Sequence, residues 1–156
     1  MKTKNIKIML SIVLIVLVVV MLRNFSVASN SVKNVRSSAR YEQCALWLEQ
    51  NTPQGSIVFH SSWDNFPELF FYNHHNYYLS GLTPDFMYVY GKSIYDIWNK
   101  IRKGQVPTYK YAIKTTFNSS YVFVDNRYSN FGEKLKSDED IEEVFHSPDC
   151  RIYFIK

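Results

Sequence analysis

The feature that most constrains this chain is an uninterrupted apolar run over residues 8–22, in which Ser11 is the only polar residue. As a helix at about 1.5 Å per residue the run covers roughly 22 Å, less than a hydrocarbon core of about 30 Å. Lys7 and Arg23 flank it and can extend their charged ends to the headgroups. A helix that is apolar all round is not typical of a soluble core, so we expect a membrane span.

The basic residues Lys2, Lys4 and Lys7 all precede this run. By the positive-inside rule, Met1 is then cytoplasmic and the rest of the chain is outside. A cleaved signal peptide is the alternative, because "SVA" ending at Ala28 has the small residues of a cleavage site. Both interpretations place the remaining chain outside the cytoplasm, and we expect a single-pass protein of the cell membrane with an extracytoplasmic C-terminal domain.

Three parts are expected: residues 1–29 as a cytoplasmic stub and transmembrane helix, 30–40 as a juxtamembrane linker, and 41–156 as an extracytoplasmic domain. The last part suffices for one core but not for two. Aromatic residues make up 17% of the chain, which favours a well-packed globule. The formal charge of +4 is dispersed along the chain, so no nucleic-acid partner is expected.

Helix and strand patterns alternate through residues 41–156 in the order α-β-α-β-α-α-β-α-β-β. "SIVFHS" and "SSYVFVDN" have the β-branched residues of strands, and the last two strands flank "SPDC" as a hairpin. This order predicts an α/β fold, with a mostly parallel sheet flanked by helices and a C-terminal antiparallel hairpin, preceded by one transmembrane helix.

Several residues are typical of helix ends. Asn65 is expected to cap a helix that carries Pro67 in its first turn. Ser93 and Asp96 have the spacing of a variant capping box for "SIYDIWNKIRKG", and Gly104 is expected to close that helix.

Cys44 and Cys150 are the two cysteines of the chain. In an exported protein they can form a disulfide between the first helix of the domain and the last hairpin. The alternative is two separate thiols, with Cys44 packed in the core as a small apolar residue. The cysteines lack metal-type spacing, and the adjacent His74 and His75 do not converge on one ion, so no metal and no cofactor are expected.

"SSWDN" lies just past the first expected strand, where ligands bind in open α/β sheets. Trp63 and Asp64 suit a sugar, because an indole ring packs on C–H faces while a carboxylate accepts hydroxyl hydrogen bonds. Asp85, past the next strand, is expected in the same crevice. In the alternative, Asp64 and Asn65 cap the helix and Trp63 closes the core. Without a G-x-S-x-G, G-x-G-x-x-G or P-loop motif, no catalytic residue is assigned.

These segments together resemble a known family. "ALWLEQNTPQGSIVF", "SWDNFPELFFYN", "YYLSGLTPDFMY" and "IYDIWNKIRKG" are similar to the C-terminal end of bacterial polytopic GT-C-type glycosyltransferases. Those enzymes resemble the dolichyl-phosphate-mannose-dependent protein mannosyltransferases. The resemblance covers residues 45–156 and implies a last membrane span that leads into an extracytoplasmic α/β domain. Thr83 stands where this family is expected to carry an acidic residue.

The resemblance also implies which part of the function this chain carries. GT-C enzymes place their catalytic carboxylate in a loop between early membrane spans, and a chain with one span has no such loop. We therefore expect an accessory domain or fragment of a transferase that uses polyprenyl-phosphate-linked sugars. Its expected partners are the membrane, a polytopic protein that supplies the catalytic site, and a lipid-linked sugar or glycan. The alternative is an independent anchored module that binds a carbohydrate-like ligand. A small anchored enzyme ranks last.

Overall fold

A computed structural model of the chain describes residues 2–33 and 39–156. The chain divides into two compact units, residues 1–37 and 38–156. Of the expected linker over residues 30–40, the central part (34–38) lies outside the described residues.

The first unit is a single helix, α1 (Lys2–Lys33). Its stretch Ile8–Asn30 has 23 residues, a mean hydropathy of 2.6 and no buried residue. At about 1.5 Å per residue this stretch is about 34 Å long. The residues that follow the apolar run, 23–30, therefore extend the helix to more than the roughly 30 Å of a hydrocarbon core. The helix is therefore long and apolar enough to cross a membrane. A signal sequence satisfies the same criterion.

Residues 39–156 form strands joined mostly through helices. The strands are β1 (Ile57–His60), β2 (Tyr77–Tyr78), β3 (Ser119–Asp125), β4 (Ile141–His146) and β5 (Cys150–Ile155). The helices are α2 (Glu42–Asn51), α3 (Phe66–Tyr72), α4 (Asp85–Tyr90), α5 (Lys92–Lys103), α6 (Tyr109–Phe117) and α7 (Ser129–Lys136). Short 3-10 turns, Trp63–Asn65 and Asn126–Tyr128, follow β1 and β3.

The five strands form one mixed sheet in the order β2-β1-β3-β5-β4. β1 is parallel to β2 and to β3, whereas β5 is antiparallel to β3 and to β4. The expected α/β class is confirmed, and the last two strands do form an antiparallel pair. The expectation of a mostly parallel sheet holds for half of the pairings only. The reason is that β5 inserts between β3 and β4, so the hairpin adds a second antiparallel contact.

The strand order places a topological switch point between β1 and β3. The chain leaves β1 toward β2 on one side and later returns to β3 on the other side. The two connections diverge there, and open α/β sheets bind ligands outside the carboxyl ends of the strands at such a point.

Alternate strand residues point into two cores, one on each face of the sheet. Val58 and Phe123 pack with residues of α2 and α3, whereas Phe59 and Val122 pack with residues of α5, α6 and α7. Helices thus cover both faces and hold the carboxyl edge of the sheet in place.

The helix ends differ in part from expectation. Gly104 closes α5 in the left-handed conformation, at φ 71°, as predicted. The capping predictions were wrong: Asn65 makes no side-chain cap, because its amide donates to the Tyr41 hydroxyl at 2.9 Å. α5 begins at Lys92 rather than after Ser93, and Asp96 binds Lys92 at 2.6 Å instead of capping.

A disulfide joins Cys44 in α2 to Cys150 in β5, with the two Cα atoms 6.4 Å apart. This resolves the two alternatives for the cysteines, and neither is a free thiol. The bond connects the first helix of the second unit to the last strand of its sheet.

Candidate functional site

The turn after β1 presents Trp63 and Asp64 at the carboxyl edge of the sheet. The Trp63 side chain is 42% exposed. The Asp64 carboxylate accepts a hydrogen bond from Arg127 Nη2 at 3.2 Å, and Arg127 lies in the turn after β3. The ends of two neighbouring parallel strands therefore bring Asp64 and Arg127 together at the switch point of the sheet, and the partly exposed Trp63 precedes Asp64 in the same turn.

Asp125, the buried last residue of β3, fixes the position of Arg127. The Arg127 side-chain Nε donates to Asp125 Oδ2 at 2.6 Å, and the Arg127 backbone N–H donates to Asp125 Oδ1 at 2.8 Å. Because the carboxylate binds both the side chain and the backbone of the same residue, the guanidinium has a fixed direction toward Asp64.

The hydroxyl of Tyr41, which precedes α2, completes the support. It donates to Asp125 Oδ2, accepts from Asn65 Nδ2 at 2.9 Å and accepts from Arg127 Nη2 at 3.0 Å. A phenol has one donor and two acceptor positions, and all three are used here. The side chain of Asn65 thus supports the ion pair instead of capping α3.

The electrostatics of this network fix its charges. Burial opposes ionisation of Asp125, yet the hydrogen bonds from Arg127 and Tyr41 outweigh burial and lower the pKa of the carboxyl. Burial and the contact with Asp125 raise the pKa of Tyr41, and the hydrogen bond to Asp125 raises the pKa of Arg127. Asp125 is therefore an anion, Arg127 a cation and Tyr41 neutral, and none of them exchanges a proton near neutral pH.

A second ion pair lies beside the first. Arg40 Nη2 contacts Glu68 Oε1 at 3.4 Å, and the Arg40 guanidinium lies 4.1 Å from the centre of the Tyr41 ring. Burial raises the pKa of Glu68. With Asp64, Asp125 and Glu68 facing two guanidinium groups, these charges give the edge no net positive charge.

Several buried polar atoms under the turn after β1 lack a partner in the described part of the chain. Asp64 Oδ1, Asn65 Oδ1 and Arg40 Nε are buried and have no hydrogen-bond partner among the described residues. Unpaired buried polar atoms cost stability, so the position of the turn is not fixed by hydrogen bonds at every polar atom.

Asp85, the third residue expected at the site, lies at the start of α4 and is exposed. Its carboxylate accepts a hydrogen bond from Thr83 Oγ1 at 2.9 Å. The contact that the geometry adds to the expected residues is the one between Asp64 and Arg127. The role expected of Asp85 stays a prediction.

The histidines have structural partners. His60 is buried, and it donates from Nδ1 to Ser62 O at 2.8 Å while Nε2 accepts from the Ser80 N–H at 3.3 Å. His75 Nε2 contacts Thr52 O at 2.8 Å. In the described part of the chain, no group of three or more His, Cys, Asp or Glu side chains is placed to hold a metal ion.

Sequence reasoning missed Tyr41, Asp125 and Arg127. A signal was present, because "VDNR" closes the most distinct strand of the sequence, and the carboxyl ends of parallel strands meet at one edge. Using it required knowing that β3 lies beside β1, which local patterns do not specify.

Comparison with protein-family models, with curated proteins and with solved structures finds no match to this chain. The function is therefore inferred from the residues and from the geometry described above.

Proposed function

We propose that this chain is a membrane-anchored extracytoplasmic module that binds a neutral carbohydrate-like ligand through Trp63 and Asp64. The observation that carries the proposal is the Asp64–Arg127 ion pair, which joins the turns after β1 and β3 at the switch point of the sheet, with the partly exposed Trp63 preceding Asp64 in the same turn. α1 is the anchor, since it is long and apolar enough to cross a membrane. The basic residues before α1 favour an orientation with the second unit outside.

The chemistry of the site favours sugars over other ligands. An exposed indole face packs against the C–H face of a pyranose, and a charged carboxylate accepts hydroxyl hydrogen bonds. Asp64 can accept further hydrogen bonds, because a carboxylate has about four acceptor positions and Arg127 uses one of them. Phosphate-type ligands fit poorly, because Arg127 is already paired with Asp64 and Asp125.

The site is arranged for binding more than for chemistry. Arg127 is fixed by Asp125 and Tyr41, which lowers the ordering cost of binding. No group of the network titrates near neutral pH, whereas general acid–base catalysis needs one that does. We therefore propose an accessory role in sugar transfer. The catalytic site would belong to a polytopic GT-C-type transferase that uses polyprenyl-phosphate-linked sugars, either as the parent of this domain or as its partner.

Ligand binding is tested with the full chain in lipid nanodiscs, titrated calorimetrically with a panel of neutral mannose-, glucose- and galactose-containing oligosaccharides. Trp63→Ala is expected to weaken binding about tenfold or more, because aromatic residues dominate binding energies. Asp64→Asn is expected to weaken it less, since the amide keeps one acceptor. Tyr111→Ala removes another exposed aromatic, on α6, and should leave the affinity unchanged.

Asp85→Asn belongs in the same titration and tests the role expected of Asp85 from the sequence: because its carboxylate is bound to Thr83 in its own loop, the substitution should leave the affinity unchanged. Equal losses in Trp63→Ala and Tyr111→Ala would contradict a site at the switch point. Absence of binding by every neutral oligosaccharide at millimolar concentration would contradict the carbohydrate proposal itself.

The relation to a transferase is tested in native membranes. An antibody against residues 39–156 should detect a polypeptide well above the 18.4 kDa of this chain, or an 18.4 kDa band that crosslinks to a polytopic membrane protein. A lone 18.4 kDa species without a crosslinked partner would contradict the accessory role and leave the independent binding module.

A further inference from the structure

A second surface of residues 39–156 presents large apolar side chains to solvent. Leu82, Phe86, Val89 and Tyr90 are 66%, 69%, 83% and 84% exposed. Within α4, spacings of three and four residues place Phe86, Val89 and Tyr90 on one side of the helix, and Leu82 lies in the loop before it. Met87, on the other side of the helix, is buried in the core. We call the four exposed residues the α4 face.

One residue of the α4 face, Leu82, has an energetically unfavourable backbone conformation. Leu82 has φ 52°, in the left-handed region. A branched apolar residue rarely adopts this conformation, and strain of this kind is concentrated at functional surfaces. Leu82 gains little burial in return, because its side chain is exposed.

A groove of about 720 Å³ borders the α4 face. Phe86 and Tyr90 form one wall, and Phe66 and Leu79 belong to its lining. Its polar side-chain groups are the hydroxyls of Ser80, Thr83, Tyr90 and Thr116, and its lining contains no charged residue. The apolar surface therefore extends beyond one helix, which is typical of an interaction surface.

Charge distinguishes this region from the rest of the second unit. Residues 85–117 contain six basic and two acidic residues, whereas the remainder of residues 39–156 contains six basic and twelve acidic ones. The basic residues that follow the α4 face along the chain are Lys92, Lys100, Arg102, Lys103, Lys110 and Lys114. Lys92 and Lys110 are paired with Asp96 and Asp140, whereas the other four have no side-chain carboxylate partner among the described residues. A surplus of basic residues on the helices that follow an apolar face is complementary to an anionic lipid surface.

We propose that the α4 face docks on the surface of the anionic bilayer that α1 spans. Phe and Tyr side chains favour the interface between hydrocarbon and water, and Leu and Val favour the boundary just below it. Only residues 34–38 separate the two described parts of the chain. Such a short connection presents the second unit to the bilayer at high effective concentration, so a weak interfacial affinity suffices.

The test uses the full chain in nanodiscs, with Val89→Cys carrying a spin label. Labelling without reductant preserves the Cys44–Cys150 bond. The control label is at Glu139→Cys, in the exposed turn between α7 and β4 and away from both cysteines along the chain. In anionic lipid, the label at Val89 should collide more with oxygen than with a water-soluble nickel reagent, and the label at Glu139 should show the reverse. Zwitterionic lipid should shift the Val89 label toward nickel access.

A second variant keeps the test independent of the label itself. Phe86→Ser in the chain labelled at Val89 should restore nickel access, with an unchanged circular dichroism spectrum. Equal nickel access at Val89 and Glu139 in anionic lipid would overturn the proposal. A Val89 label shielded from both reagents would also overturn it, since a protein partner or a second copy would then cover the α4 face. Trp63→Ala should not affect the label, so this test is separate from carbohydrate binding.

Discussion

His60 connects three parts of the second unit through its neutral imidazole ring and its backbone carbonyl. Its ring joins the turn after β1 to the segment after β2 through Ser62 O and the Ser80 N–H. Its carbonyl accepts a hydrogen bond from Trp98 Nε1 at 3.1 Å. Both ring nitrogens serve only in the neutral form, since Nε2 must accept. Burial lowers the pKa of His60 to about 4.

His60 makes stability depend on pH. Its pKa is about 4 in the folded state and 6.5 in the unfolded chain, so between these values only the unfolded state binds the proton. Its contribution is complete above pH 6.5 and declines by about 3 kcal/mol as the pH falls to 4. Urea denaturation between pH 7.5 and 4.5 measures this decline.

His60→Gln should lower the free energy of unfolding at pH 7.5 and flatten its dependence on pH. His74→Gln is the matched control, because the His74 side chain is exposed, and it should keep the wild-type slope. If His60→Gln and the wild type lose stability in parallel, groups other than His60 govern the acid response.

The sequence identified those residues of the site that are close to one another along the chain. Trp63 and Asp64 could be found because they directly follow a recognisable strand. Arg127 could not, because the two members of the ion pair are 63 residues apart and meet only through the pairing of β1 with β3. The same holds for Tyr41 and Asp125, whose contact spans 84 residues.

Among the elements, α5 depends on the residue that ends it. Gly104 has φ 71°, which costs any residue with a Cβ about 1–2 kcal/mol. A Cβ there would also meet the end of the Lys134 side chain, whose Nζ donates to Lys103 O at 3.2 Å. Gly104→Ala is therefore expected to destabilise the chain by about 1–2 kcal/mol.

Gly91, at the other end of α5, is the matched control. It has an extended backbone, and its added Cβ would lie in ordinary contact with Ile94. Gly91→Ala should change stability by no more than about 0.5 kcal/mol. Chemical denaturation of both variants measures the difference. Equal effects would mean that the left-handed conformation at Gly104 is not what limits substitution.

Strands and helices with a clear hydrophobic pattern were predicted correctly from the sequence. β1, β3 and the terminal hairpin have β-branched or alternating residues, and α5 has one apolar face. α4 was missed, because "DFMYVY" is apolar on nearly every side and shows no helical period. The strand expected over "NYYLSG" is reduced to Tyr77 and Tyr78, since the chain beyond them turns into the groove wall.

For the whole second unit, the largest single constraint is the disulfide. Cys44 and Cys150 are 106 positions apart, so the bond closes nearly all of the folded chain into one loop. Closing a loop of about 100 residues removes about 4.7 kcal/mol of unfolded-state entropy in the chain-entropy model. The sequence did not decide between a disulfide and two free thiols, because the bond depends on α2 lying next to β5 in the fold.

Reduction is expected to lower the free energy of unfolding by about 2–5 kcal/mol. Guanidinium denaturation with and without dithiothreitol measures the loss. The chain with Cys44→Ser and Cys150→Ser should match the reduced protein and be insensitive to reductant. If reductant shifts the midpoint of the double variant as well, the effect does not come from this bond.

The two edge strands of the sheet, β2 and β4, affect how copies of a membrane-anchored protein can associate. β2 exposes only two residues of ladder, and β4 carries Glu142 and Glu143 with an irregular register between Glu143 and Phe145. Short strands, charges and bulges prevent strand addition by a neighbouring copy. If the proposed anchor is correct, diffusion in a bilayer makes collisions between copies frequent. These borders would let the chain be crowded on a cell surface without polymerising through its sheet.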